Sequence, residues 1–167
     1  AVVVNEPTRR GRMVGTDLVQ RYARELRIDV FGMTGTAGTG GTADTGIPGT
    51  TALGDLPQAV MHGELARRRV YLHPVRWTSL GLSLVEAMQL GMPVVALATT
   101  AVTEAVPSQA GVVSSDPAVV RAALEHFLDD PEAAQLAGKA ARAYALERFG
   151  LDRFLADWDQ LITGVVA

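Results

Sequence analysis

The 167 residues carry 15 lysines and arginines against 18 aspartates and glutamates, a formal charge of −3, with 48% hydrophobic residues and no cysteine. A chain of this length buries about 70% of its unfolded surface, enough for one core without staples. Without thiols it has no disulfide framework, thiolate metal site or cysteine nucleophile, which fits a reducing, cytoplasmic setting, and its mild acidity argues against nucleic acid, which selects a basic face.

No apolar run approaches the roughly 20 residues of a bilayer span, so no transmembrane segment is read. The chain opens on AVVV with no basic segment before it, so no signal peptide is read either, and the domain is expected to belong to a longer protein. Residues 1–5 are strand-like, and Arg9, Arg10 and Arg12 crowd the turn that follows. From Thr16 to Leu26 the spacing of Leu18, Val19, Tyr22, Ala23 and Leu26 predicts an amphipathic helix, and Ile28 to Gly32 is a second strand. Residues 33–51 are rich in glycine and threonine, with Ile47 their one large apolar residue after Met33. They are read as a flexible surface loop, long against ordinary connections. Ala52 to Leu56 is a short strand, and Pro57 opens a helix to about Arg68 with Val60, Met61 and Leu65 inward.

The next segment, VYLHPVRWTSLGLSLVEAMQLGMPVVA from Val70 to Ala96, reads as strand, loop, helix and strand. Its helix runs from about Leu80 to Leu90, with Thr78 or Ser79 as N-cap. Free backbone N–H groups and the positive end of the dipole make such a terminus a phosphate site. Gly111 to Ser114 is a last strand, Asp116 caps a helix holding Val120, Leu124, Phe127 and Leu128, and Pro131 opens another to Arg148. A final helix from Leu151 to Ile162 carries Phe154, Leu155, Trp158 and Leu161. Strands alternating with helices give an α/β class, a Rossmann-like parallel sheet with helices on both faces, as one domain over residues 1–167.

The run from Thr78 to Ala96 resembles the C-terminal-domain motif of GT-B glycosyltransferases of retaining family 4, ExFGxxxxE followed by AMAxGxPVV. Leu80-Gly81 stands for Phe-Gly, Glu86 for the second glutamate, and Thr78 stands where the first would be. The resemblance runs on through Gly111-Val112-Val113 and Glu147-Arg148-Phe149, and covers about Leu53 to Ile162 well. It implies a GT-B C-terminal half that binds the nucleotide diphosphate sugar donor, with transfer to an acceptor held by an N-terminal domain of the same enzyme, with retention and no obligatory metal or other cofactor. The fragment alone would then be inactive, and the complete enzyme cytoplasmic or peripheral to a membrane. By the same resemblance Arg9, with Arg12 or Arg10, would hold the diphosphate as catalytic cations. Thr78, Ser79, Leu80, Gly81 and Leu82 would bind the donor through the loop and its backbone amides, and Glu86 would accept from the ribose hydroxyls. Two other readings fit the residues: half of a GT-B sugar-nucleotide epimerase, or a non-catalytic nucleotide- or phosphate-binding module.

The remaining residues have plainer readings. His62, His73 and His126 share no metal-ligand spacing, though His73 ends the strand leading into the ligand loop. Trp77 either stacks on a sugar or base or caps the core edge. Glycines 35, 38, 40 and 41 lack the Lys-Ser/Thr ending of a phosphate loop, and Arg67, Arg68 and Arg69 suit a helix C-terminus.

Overall fold

A computed structural model describes residues 1–33 and 45–166. Residues 34–44, most of the glycine- and threonine-rich segment, lie outside the described residues. The strands are β1 (Val2–Val3), β2 (Ile28–Phe31), β3 (Thr50–Gly54), β4 (Tyr71–His73), β5 (Val94–Leu97) and β6 (Gly111–Ser114). The helices are α1 (Pro7–Val14), α2 (Thr16–Tyr22), α3 (Gln58–Leu65), α4 (Leu82–Gln89), α5 (Val102–Ala105), α6 (Pro117–Asp129), α7 (Pro131–Phe149) and α8 (Leu151–Val166).

All strand pairs are parallel, in two runs ordered β1-β2-β3 and β4-β5-β6. The runs meet along β1 and β4, where the Ala1 amine donates to Val70 O (2.7 Å) and Leu72 N–H donates to Ala1 O (2.8 Å), which is the parallel bridging pattern. Read across this seam the order is 3-2-1-4-5-6, the doubly wound arrangement whose direction reverses between β1 and β4. Strands this short are held by burial on both faces. Val2, Val30, Leu72 and Val95 pack with α2 and α6 through Val19, Tyr22, Val120 and Phe127, while Phe31, Tyr71, Val94 and Ala96 pack with α3, α4 and α7 through Leu65, Leu84, Met88 and Ala141.

The structure corrects several sequence expectations. The turn carrying the three arginines is helix α1: Pro7 fixes its first turn, and Gly15, at φ 73°, breaks it from α2. The end of the 33–51 segment is core rather than surface loop. Ile47 and Thr45 are buried, and the Thr45 hydroxyl both donates to Ile47 O (2.9 Å) and accepts from Ile47 N–H (2.8 Å). Val60 faces outward, because α3 buries Leu65 and packs Met61 instead. As expected, Asp116 caps α6, accepting from Ala118 N–H (2.8 Å); Asp130 caps α7. Helix α8 extends beyond Ile162 and leaves Phe154, Leu155, Trp158 and Leu161 exposed. No described helix is long and apolar enough to cross a membrane.

Candidate functional site

In a doubly wound sheet the crevice opens beyond the carboxyl ends of the strands flanking the reversal. Here a cavity of about 130 Å³ lies there, walled by Asn5 after β1, Arg10 of α1, His73 at the end of β4, Thr78 in the following loop, and Gly81 and Ser83 at the start of α4. Two close approaches shape it. A Cβ on Gly15 would lie 2.1 Å from Pro74 O, so only glycine lets the α1–α2 junction touch the loop after β4. A Cβ on Gly81 would lie 2.7 Å from His73 Cε1, so the imidazole fills the space beneath the helix terminus.

The loop between β4 and α4 is tied down on both sides. Arg76 forks onto Asp17 (2.6 and 2.8 Å), donates its backbone N–H to Met13 O (2.8 Å) and reaches Arg12 O (3.1 Å). That bond with Arg76 holds the Asp17 carboxyl below its usual range. On the far side Thr99 donates to Val75 O (2.8 Å) and Ala101 N–H to Ser79 O (3.2 Å). The crevice wall is therefore pre-formed by backbone carbonyls that have their partners.

Polar groups facing the crevice are incompletely matched. The N-cap of α4 is Gly81, not Thr78 or Ser79, and no described side chain caps the helix, so its amino terminus keeps open donors and the positive end of its dipole. Arg10 is half-buried and lines the crevice, and its side chain forms no salt bridge or hydrogen bond among the described residues, its backbone N–H donating to Glu6 O (2.8 Å) within α1. The His73 imidazole is almost wholly buried and its Nε2 has no hydrogen-bond partner among the described residues. Burial lowers its pKa to about 4, so the ring is neutral near pH 7. A buried orphan nitrogen beside an uncapped helix terminus and an unpaired guanidinium makes a site for an anionic, hydroxyl-bearing ligand.

The expected site residues divide. Thr78 and Gly81 line the crevice. Ser79 and Leu82 are exposed at its mouth, and Leu80 packs on the core. Arg9 is exposed on the outer side of α1, bonded to Glu6 (Nε–Oε1 2.8 Å), and Arg12 borders a separate shallow depression with Asp17 and Arg76; Arg10 is the arginine that lines the crevice. Glu86 lies a turn further along α4 and faces α3, accepting from Gln58 Nε2 (3.0 Å) and 3.6 Å from His62 Nε2. Trp77 is exposed. Sequence reasoning missed Asn5, Arg76 and Ser83. A serine two residues past the glycine that opens α4 is legible as a first-turn donor, whereas the Arg76–Asp17 pair, 59 residues apart, leaves no local signal.

A family model described as "Glycosyl transferases group 1" matches residues 14–130. No curated protein matches the chain. Among solved structures it is similar to a sucrose-phosphate synthase from Thermosynechococcus elongatus (18% identity, TM-score 0.80, 99% of this chain and 45% of that one). It is also similar to HepE of Anabaena in complex with UDP (16%, 0.72, 98% and 48%) and to TarM of S. aureus in a complex that includes UDP (15%, 0.68, 96% and 35%). The chain thus spans less than half the length of each of these, and at such identities the likeness concerns the fold, which is the Rossmann-like α/β arrangement expected of a GT-B half.

Proposed function

The chain belongs to the glycosyl transferases group 1, and we propose that it is the donor half of such an enzyme, binding a nucleoside diphosphate sugar in the crevice between β1 and β4. The observation that carries this reading is the start of α4, without a side-chain cap, lining one crevice with Arg10, whose side chain has no partner among the described residues. HepE and TarM, which share the fold, are complexed with UDP, and HepE also with UDP-glucose. In the proposed reaction the glycosyl bond to the diphosphate breaks and negative charge develops on the departing phosphate oxygen. The Arg10 guanidinium and the amides of Leu82 and Ser83 stabilise that charge without reorganising, which is electrostatic catalysis. The acceptor would come from a second domain, configuration would be retained as in the family that the motif resembles, and Glu86 would meet the ribose.

Titration calorimetry of the chain with UDP, GDP and ADP tests the reading. A charge-assisted hydrogen bond contributes about 1.5–3 kcal/mol, so Arg10→Ala is expected to weaken the tightest diphosphate about tenfold or more and to leave the matching nucleoside unchanged. Arg9→Ala, whose guanidinium is bonded to Glu6, is expected to change it less than about twofold. Absence of diphosphate binding, or an Arg10→Ala variant that binds like wild type, would overturn the assignment.

A further inference from the structure

Behind the crevice lies a buried polar trio whose bonds have a direction. Tyr71 is fully buried in β4, and its hydroxyl donates to Ser83 Oγ at 2.9 Å. Burial raises the phenol's pKa well above its ordinary value, so its proton stays in place. On its other side the phenol oxygen lies 3.5 Å from His73 Nδ1, the outer limit of a hydrogen bond. With the Tyr71 proton committed to Ser83, the phenol oxygen faces Nδ1 as acceptor only. The oxygen can accept from Nδ1 in the tautomer that protonates that nitrogen. Ser83, having accepted from Tyr71, keeps its own proton, donates to no protein group among the described residues, lines the crevice and belongs to the uncapped first turn of α4.

We propose that Ser83 is a diphosphate ligand whose hydroxyl proton Tyr71 aims at the crevice, Tyr71 acting as a positioning residue through Ser83 alone. This rests on the donor-binding reading above. The bond from Tyr71 occupies a Ser83 lone pair that would otherwise accept from water, and leaves the serine rotor with its proton on the crevice side. An anionic oxygen brought to the first turn of α4 then meets a side-chain donor beside the backbone donors, and the hydrogen bond to it is charge-assisted.

Calorimetry with the diphosphate that wild type binds best, and with its nucleoside, decides the matter for Ser83→Ala, Tyr71→Phe and the double variant, each checked for folding by circular dichroism. Ser83→Ala is expected to weaken the diphosphate about tenfold and the nucleoside not at all. Tyr71→Phe keeps the serine but frees its rotor, and an expected loss of about threefold corresponds to one neutral hydrogen bond. The double variant is expected to match Ser83→Ala alone, because Tyr71 has nothing left to orient; a merely structural tyrosine would add its own loss. Wild type that binds diphosphate while Ser83→Ala binds equally well, or a double variant whose losses multiply, overturns this inference and leaves the donor-binding reading intact. Wild type that binds no diphosphate removes both.

Discussion

At the amino end of the sheet a cavity of about 540 Å³ opens between Ala1, Ile28 and Val70 beneath Arg27, Arg67, Arg68 and Arg69, four times the volume of the crevice at the carboxyl end. Its buried carboxylate nevertheless has cations on two sides. Arg68 Nε donates to Asp29 Oδ2 at 2.9 Å, Arg27 Nε lies 3.7 Å from Oδ1, and Arg68 also bonds to Glu64 (2.8 Å) with its guanidinium 5.2 Å from the Phe31 ring centre. At the small end the guanidinium of Arg10 and the imidazole Nε2 of His73 have no partner, and the start of α4 no side-chain cap, among the described residues. Between these two cavities, volume alone would choose the amino end. Asp29 Oδ1 is itself without a hydrogen bond, but it has arginines on two sides as counter-charges, whereas Arg10 has no ion-pair partner among the described residues, and that difference in charge matching separates the two ends.

The largest test of this contrast is Arg68→Leu. It leaves Asp29, whose side chain is only 10% exposed, with the more distant Arg27. Removing one partner of a buried pair destabilises by about 3–5 kcal/mol, and the lower part of that range is expected because Arg27 remains. Urea denaturation should show this loss while diphosphate affinity, measured well below the unfolding midpoint, stays at the wild-type value. Unchanged stability with lost affinity would reverse the roles of the two ends.

His73 gives the next effect, from the unmatched end. Its pKa is near 6.5 in the unfolded chain and about 4 in the folded one. Above pH 6.5 the ring is neutral in both states and adds no pH dependence. Between pH 6.5 and 4 the unfolded chain takes up a proton that the folded chain refuses, so stability falls as the medium is acidified, by up to about 3 kcal/mol. Urea midpoints at pH 7.5 and 4.5 should show most of that loss in wild type and much less in His73→Leu. An equal acid loss in both proteins would mean that His73 is not the group that must stay neutral.

Much of the scaffold is legible in the sequence, because periodicity and caps are local. Asp116 before Pro117 and Asp130 before Pro131 announce α6 and α7, and apolar runs place β2, β4, β5 and β6 within a few residues. Helix α1 is not legible. Its sequence PTRRGRMV has no apolar stripe, and only Pro7 and Val14 are buried; Gly15 against Pro74 fixes where it ends. The start of α4 misleads for a related reason. Thr78 and Ser79 are good caps by residue type, but the N-cap is Gly81, which lies against the His73 ring. Which of the three arginines lines the crevice depends on the rotation of α1, which a segment without an apolar stripe does not show: Arg10 lines it, while Arg12 borders a separate depression and Arg9 is bonded to Glu6.

Glu86 offers the smallest effect and the finest test of how far the ligand site extends. It is three residues beyond Ser83 on α4, so both side chains lie along one face of the helix. Gln58 already donates to its carboxylate at 3.0 Å, and His62 stands 3.6 Å away. A ribose would share an acceptor that the protein partly occupies, so its contribution is smaller than that of a free carboxylate. Glu86→Gln keeps the size and one acceptor oxygen for Gln58, removes the charge, and should leave stability within about 0.5 kcal/mol. Diphosphate affinity should fall about fivefold, roughly 1 kcal/mol, and the preference for a ribose over a 2′,3′-dideoxyribose ligand should shrink with it. Undiminished discrimination between the two sugars in Glu86→Gln would restrict the site to the crevice and leave Glu86 as a bond between α3 and α4.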